Sequence, residues 1–340
     1  MLKFPFEQTP AFGEVTEVAP GLLWLRLPLP FELDHVNMYL LEDGDGWAIV
    51  DTGIKTDEAK AIWKNVFAEK LANTPITRVI VTHFHPDHIG LAGWICNRFD
   101  IPLFTSLATY MTNRLLSLAP RDVESRVHFD FYTRHGMSPE AAGLVDLRGR
   151  EYLSMVENPP ESFMRLVYGD QLTIGKRTFR VFTFDGHAPE QVLLYCADES
   201  LLFAADHVME KISPNVGVYA GDQKGDPLGH FVRSLQLLRT TIPEHVLVLP
   251  GHRRPFYGLH ERCVELEQHH EDRCNLILQA CGERSQTIAN LVPVLFKREL
   301  DAHQMAFAFA ETLAHAHRLS RKSEVKEVTQ NGRTYFCRVT

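Results

Sequence analysis

The run His83-Phe84-His85-Pro86-Asp87-His88 constrains this chain more than any other feature. Three imidazoles and a carboxylate fall within six residues. They directly follow Arg78-Val79-Ile80-Val81-Thr82, which reads as a short buried strand. Packing gives no reason to gather such side chains, since each is costly to bury without a partner. Divalent first-row metals do give one, because imidazole nitrogen and carboxylate oxygen suit them. A fold that carries this run has to present the end of a strand at a polar edge.

Further donors recur in the same setting. Phe184-Asp185-Gly186-His187 follows the strand-like stretch Thr178 to Thr183. Phe203-Ala204-Ala205-Asp206-His207 closes an apolar strand, and Leu249-Pro250-Gly251-His252 follows Val246-Leu247-Val248. One Gly-His at a strand end is ordinary loop structure; donors at four strand ends of one chain are a pattern. Two ions at four or five coordinates need about seven protein donors and a shared water. A serine or cysteine nucleophile is not called for, and the chain has no G-x-S-x-G run. Its six cysteines are scattered without a C-x-x-C pair, so neither a zinc knuckle nor a disulfide framework is suggested.

Composition narrows the class. At 340 residues, with 45% hydrophobic and 23% charged content, the chain has an ample core in one large or two smaller domains. A net charge of −8 argues against non-specific binding to nucleic acid or anionic membrane. No apolar run approaches the ~20 residues of a membrane span. The start Met1-Leu2-Lys3-Phe4-Pro5 lacks the basic and apolar segments of a signal peptide. The expected location is the cytoplasm, with reduced thiols.

The first third reads as strands: Gly21 to Leu27, Val36 to Leu41 and Trp47 to Val50. The last two flank the hairpin signal Asp43-Gly44-Asp45-Gly46. Trp47 to Val50 ends in Asp51-Thr52-Gly53, and a helical pattern runs from Asp57 to about Leu71. Gly90 to Phe99 is helical and Pro102 to Phe104 is a strand. Residues about 107–165 read as a helical insertion, a lid, pocket wall or dimer surface. It includes the aromatic-bearing stretch Asp122 to Arg134 and a helix start at Ser138-Pro139-Glu140, with serine as the cap. Strands resume at Leu172 to Ile174, Thr178 to Thr183, Val192 to Cys196, Leu201 to Ala205 and Val246 to Leu249, with a helix from Pro227 to Leu238.

The tail carries helical patterns over Glu261 to Gln279, Thr287 to Lys297 and Asp301 to Leu319, then a hairpin on Asn331-Gly332. Met305, Phe309, Leu313 and Ala316 form one apolar stripe. Three helices and a hairpin make a winged-helix-like module over 259–340, behind a catalytic domain over 1–258. From residue 260 onward eleven basic residues face eleven acidic ones, so the module has no basic footprint for nucleic acid. Packing on the catalytic domain, or homodimerisation, is its expected role.

On Asp51, the run 83–88, His187, Asp206 and His252, the chain resembles the metallo-β-lactamase-fold hydrolases. The resemblance implies an α/β fold, an αββα sandwich with the site at one edge of two sheets. It implies one metal on His83, His85 and His187, a second on Asp87, His88 and His252, and Asp206 bridging both. Asp51 then orients a ligand from behind, and His207 belongs to the loop. The segment Gly186-His187-Ala188-Pro189-Glu190-Gln191 and the tail are similar to the glyoxalase-II-like branch that includes β-lactamase-like protein 2. Gln191 departs from that branch, where a second histidine is common.

The implied chemistry is hydrolysis by a hydroxide held on two divalent ions, with Asp87 and Asp206 as the carboxylates of the reaction. Zinc is the default ion, and manganese or iron(II) suit the same donors. The expected substrate is a thioester or ester of acyl-glutathione or acyl-CoA type. Arg253, Arg254 and Lys211 are candidates to meet its anionic end, although solvated charge is the simpler account of Lys211. Three alternatives stand beside this: a metal-dependent endoribonuclease or phosphodiesterase, a lactonase or β-lactamase, and a metal-containing protein that senses a ligand or binds a partner.

Overall fold

The computed structural model describes residues 1–118, 126–149 and 152–339. The start of the stretch Asp122 to Arg134 and the middle of the insertion lie outside the described residues. The chain divides into two compact units. One comprises 1–119, 152–214 and 238–262; the other comprises 120–151, 215–237 and 263–340. The division runs through the helical region at 107–165.

In the first unit a seven-stranded sheet has the order β1 to β7. The strands are β1 Val15–Ala19, β2 Leu22–Pro28, β3 His35–Asp43, β4 Gly46–Val50, β5 Ile76–Ile80, β6 Leu103–Thr105 and β7 Met164–Arg165. β1 to β4 form an antiparallel meander, and β4 to β7 pair in parallel. The β3–β4 turn is the one signalled by Asp43-Gly44-Asp45-Gly46, with Asp43 paired to Gly46 and Gly44 at φ +66°. A second sheet has the order β12-β11-β10-β9-β8, from β8 Gln171–Ile174, β9 Arg177–Phe184, β10 Gln191–Cys196, β11 Leu201–Ala205 and β12 Leu247–Pro250. β1 and β7 carry no clear pattern in the sequence, because β1 is only half-buried and β7 is two exposed residues.

Strand alternation divides the core between two faces. Leu22, Trp24, Tyr39, Leu41, Ala48 and Val50 join Val181, Val192, Leu194, Phe203 and Leu249 of the second sheet in one cluster. Their neighbours Leu25, Leu27, Met38, Leu40 and Ile49 join a cluster on the other face. That cluster includes Ala59 and Trp63 of α1 Asp57–Asn65 and Ala92, Ile95 and Cys96 of α3 Ala92–Phe99. The helix expected to run to Leu71 ends earlier as α-helix and continues through wider π-type turns over Val66–Lys70. The short α2 Pro86–Ile89 begins inside the histidine run, with proline at its first position. No helix among the described residues is long and apolar enough to cross a membrane.

In the second unit, α4 Pro139–Gly149 starts where the sequence signals it, and the Ser138 hydroxyl accepts from the Ala141 N–H at 3.2 Å. The tail folds as α5 Leu259–Glu283, α6 Ile288–Leu295, α7 Ala302–Arg321 and the hairpin β13 Val325–Gln330 with β14 Arg333–Arg338. Asp301 and Gln304 close a capping box on α7. Phe309, Leu313 and Ala316 are buried along that helix. Asn331 and Gly332 both have positive φ, as a two-residue hairpin turn requires.

Candidate metal centre

Seven candidate donors arrive at one edge of the two facing sheets, each from a strand end. β5 delivers His83 and His85, and α2 adds Asp87 and His88 half a turn later. The β9–β10 loop brings His187, the end of β11 brings Asp206, and the end of β12 brings His252. Three groups of donor atoms result: His83, His85 and His187; His83, His88 and Asp206; and Asp87, His88 and His252.

The spacings test whether these donors fit a metal pair. Donors sharing a tetrahedral ion at ~2.0–2.1 Å lie about 3.3–3.5 Å apart. His83 Nε2 is 3.0 Å from His85 Nδ1. His187 Nε2 is 3.5 Å and His252 Nε2 is 3.3 Å from Asp206 Oδ2, while His88 Nε2 is 3.3 Å from Asp206 Oδ1. His252 Nε2 is also 3.3 Å from Asp87 Oδ2. Asp206 therefore offers one oxygen to His88 and the other to His187 and His252, as a bridging carboxylate does. His88 Nε2 and Asp206 Oδ1 are both buried and make no hydrogen bond among the described residues, an arrangement that a shared cation resolves. The donor set fits two divalent ions.

Electrostatics agree. Burial and the neighbouring imidazoles hold His83 well below its ordinary value and His85 at about 3, so both present lone pairs at neutral pH. Burial opposes protonation of His88 and His252 too. There it is outweighed by Asp206 and Asp87, which push His252 to about 10 and His88 well up. The acidic side of the site asks for positive charge.

A set of hydrogen bonds aims the ligands. Asp51 Oδ2 accepts from His88 Nδ1 and from the Thr82 hydroxyl, each at 2.8 Å, and Oδ1 accepts from the Thr82 N–H. The Thr82 oxygen lies 3.0 Å from His83 Nδ1 and can accept its proton. Both rings are thereby fixed with Nε2 as the free base. His252 Nδ1 donates to the His35 carbonyl at 2.7 Å with the same result. Thr82, His35 and Asn37 were not singled out by sequence reasoning. Asn37 donates to the carbonyls of Pro250 and Arg253 and accepts from Trp24, so it ties the His252 loop to β3. Only the pairing of distant strands reveals these roles; no local motif signals them.

Backbone strain gathers in the loops beside the site. Asp51, Glu190, Ala205 and Arg253 have φ of +61°, +47°, +45° and +69°, a region that non-glycine residues rarely enter. Gly251 has no alternative, because a Cβ there would lie 2.2 Å from Asp206 Oδ1 and 2.8 Å from His88 Cε1. Gln191 is fully buried at the start of β10, and its amide has no hydrogen-bond partner among the described residues. His207 is buried against Phe184 and belongs to none of the donor groups. Arg254 is held by Glu210 at 3.2 Å and lies over the Phe4 ring. In the second unit His269, His270 and Glu311 form a further group, but Arg273 sits 2.6 Å from Glu311 and already supplies the countercharge.

The comparisons with known proteins place this geometry in a family. Residues 32–252 match the model of the metallo-beta-lactamase superfamily, and residues 274–339 match that of a metallo-beta-lactamase-like C-terminal domain. The chain is 22% identical over 320 residues to a probable metallo-hydrolase, YqjP, of Bacillus subtilis, covering 92% of this chain and 96% of that one. A solved beta-lactamase domain protein from Burkholderia ambifaria is 38% identical, with a TM-score of 0.92 over 99% of this chain and 98% of its own. A metallo-beta-lactamase family protein from Thermus thermophilus is 29% identical, with a TM-score of 0.80 over 95% and 100%. The chain belongs to the metallo-beta-lactamase superfamily.

Proposed function

We propose that this metallo-hydrolase cleaves a thioester or ester of acyl-glutathione or acyl-CoA type. In this reading His83, His85 and His187 hold one divalent ion, Asp87, His88 and His252 hold the second, and Asp206 spans them. The observation that carries the hydrolase reading is the convergence of seven donors at ion-sharing distances. A bound pair of divalent ions lowers the pKa of water towards neutrality and polarises a carbonyl.

The side chains do the positioning. Asp206 turns Oδ1 to His88 and Oδ2 to both His187 and His252, and so ties the two trios together. Asp87 turns Oδ2 towards His252, which leaves its other oxygen to accept a hydrogen bond from the attacking water. Asp51 and the His35 carbonyl keep His88 and His252 in the ligating tautomer. Carboxylates that ligate metals are ionised, so neither Asp87 nor Asp206 is an acid for the leaving group. That favours a substrate whose leaving group departs without a proton. A thiolate, with a thiol pKa near 8.5, suits this better than an amine. The segment Gly186 to Gln191 and the winged-helix-like reading of the tail support the glyoxalase-II-like branch, and zinc is the proposed metal.

The test is a panel of thioester, ester, lactone, nitrocefin, phosphodiester and single-stranded RNA, run together with metal analysis. Turnover of thioesters ahead of the others, abolished by a strong chelator, is expected. Preference for RNA or nitrocefin would replace the acyl reading, and activity untouched by the chelator would remove the metal mechanism. No turnover of any member would favour a sensing or partner-binding role.

A further inference from the structure

Two arginines of the first unit, Arg26 and Arg253, stand beside the His252 loop, and neither forms an ion pair among the described residues. In β2 and β3, Leu22 pairs with Leu41, Trp24 with Tyr39, Arg26 with Asn37 and Pro28 with His35. The first two pairs face the core between the sheets. Alternation therefore puts Arg26, Asn37 and His35 on that same face, two steps nearer the metal edge. Asn37 and His35 in turn hold Arg253. The Asn37 amide donates to its carbonyl at 2.8 Å, and its N–H donates to His35 Nε2 at 2.9 Å. These contacts fix Arg253 at φ +69°, a conformation that costs about 1–3 kcal/mol and persists only where the surroundings impose it.

Burial lowers the Arg26 guanidinium's pKa; of the charges acting on it, Asp34 raises it and Arg253 lowers it further. Arg26 pairs across the strands with Asn37, and Asn37 holds the Arg253 carbonyl, so the two arginines meet at one residue. Both Nε–H groups are buried, and neither has an acceptor among the described residues. Arg26 bonds through Nη1 to the Thr9 hydroxyl and the Pro10 carbonyl and lies over Phe12, but these partners are neutral. Asp34, the acid that acts on Arg26, is mostly exposed and is bound to His35 Nδ1 at 2.7 Å. Arg254 behaves differently, since Glu210 satisfies it.

We propose that Arg26 and Arg253 form an oxyanion subsite beside the metal centre. It receives a carboxylate or phosphate that the substrate carries away from its scissile bond. Buried guanidinium N–H groups suit planar, charged acceptors, and an anion relieves the repulsion between the two cations. The proposal deepens the hydrolase reading by requiring an anionic substrate, and it sets Arg26 in place of the expected Arg254.

The test has a binding arm and a kinetic arm, both on metal-loaded protein. Arg253→Asn suits the left-handed backbone and removes the guanidinium without new strain; Arg26→Gln removes the other. Calorimetry with inorganic phosphate should show affinity falling about tenfold or more in each variant, at unchanged melting temperature. Phosphate that binds the double variant as tightly as the wild type sits on the metals and overturns the subsite. In the kinetic arm, matched thioesters end in a carboxylate, a phosphate or a neutral amide. A tenfold rise in KM for the charged members alone, with kcat preserved, is expected. The member that suffers more names the natural anion. Equal KM changes for all three would overturn the proposal. If no thioester turns over, the acyl reading fails and the phosphate titration alone decides the subsite.

Discussion

Asp51 is the residue whose replacement probes the metal centre most selectively. Its Oδ2 accepts two hydrogen bonds at 2.8 Å, from the Thr82 hydroxyl and from His88 Nδ1, inside a fully buried environment. Asp51→Asn replaces that oxygen with an NH2 group, which cannot accept. His88 then escapes by moving its proton to Nε2, the atom that faces Asp206 and Asp87. A hydrogen bond to a charged acceptor is worth about 1.5–3 kcal/mol. Loss of an outer partner of a metal-bound histidine typically weakens the metal by about 10–100-fold, equivalent to roughly 1.4–2.7 kcal/mol. The two figures agree. The loss should fall on the ion proposed for Asp87, His88 and His252, because His83 keeps its bond to the Thr82 oxygen. Asparagine tolerates the left-handed φ of +61°, so the fold should survive. Titration of stripped protein with zinc against a chromophoric chelator reads both affinities. One step weakened 10–100-fold beside one unchanged step is expected. Equal loss at both steps, or loss at neither, would refute the tautomer argument.

Gly251→Ala drives a methyl into Asp206 Oδ1 and His88, so metal content should fall below one ion per chain while circular dichroism stays native. Full occupancy would show that the loop has room to yield. In the second unit His315 is fully buried, and burial lowers its pKa to about 3. Its folded value lies below the unfolded ~6.5, so the unfolded chain binds the extra proton. This neutral histidine's contribution is intact above pH 6.5 and drains away as pH falls towards 3, by about 1.4 kcal/mol per pH unit. The melting temperature should fall over that window, and His315→Gln should flatten the fall. An unchanged slope in the variant would assign the acid sensitivity elsewhere.

The candidate metal donors were legible in the sequence because each lies at or just beyond a strand end, and strand ends are marked by the switch from an apolar run to polar residues, Gly or Pro. His83 to His88, His187, Asp206 and His252 all show this mark, and the structure brings them together. Of the groups that aim them, only Asp51 was legible, through the resemblance. Thr82 acts through a hydroxyl and His35 through a main-chain carbonyl, and neither group distinguishes itself from a hundred others. Asn37 works because β3 lies against the β12 loop more than two hundred residues later, a proximity created by topology alone. The different fates of Arg253 and Arg254 depend on Glu210 and Phe4, which are remote in sequence. The grouping of 120–151 with 215–237 and the tail was hidden for the same reason, since no linker composition marks it.

The central claim is that one edge of the sandwich holds two divalent ions on seven side chains. Metal content per chain, measured by plasma mass spectrometry on the wild type and on His85→Ala and Asp206→Ala, tests it most directly. Two ions in the wild type are predicted. His85→Ala should keep only the ion on Asp87, His88 and His252, and Asp206→Ala should hold fewer than one, both with native circular dichroism. Two ions retained in both variants would contradict the account.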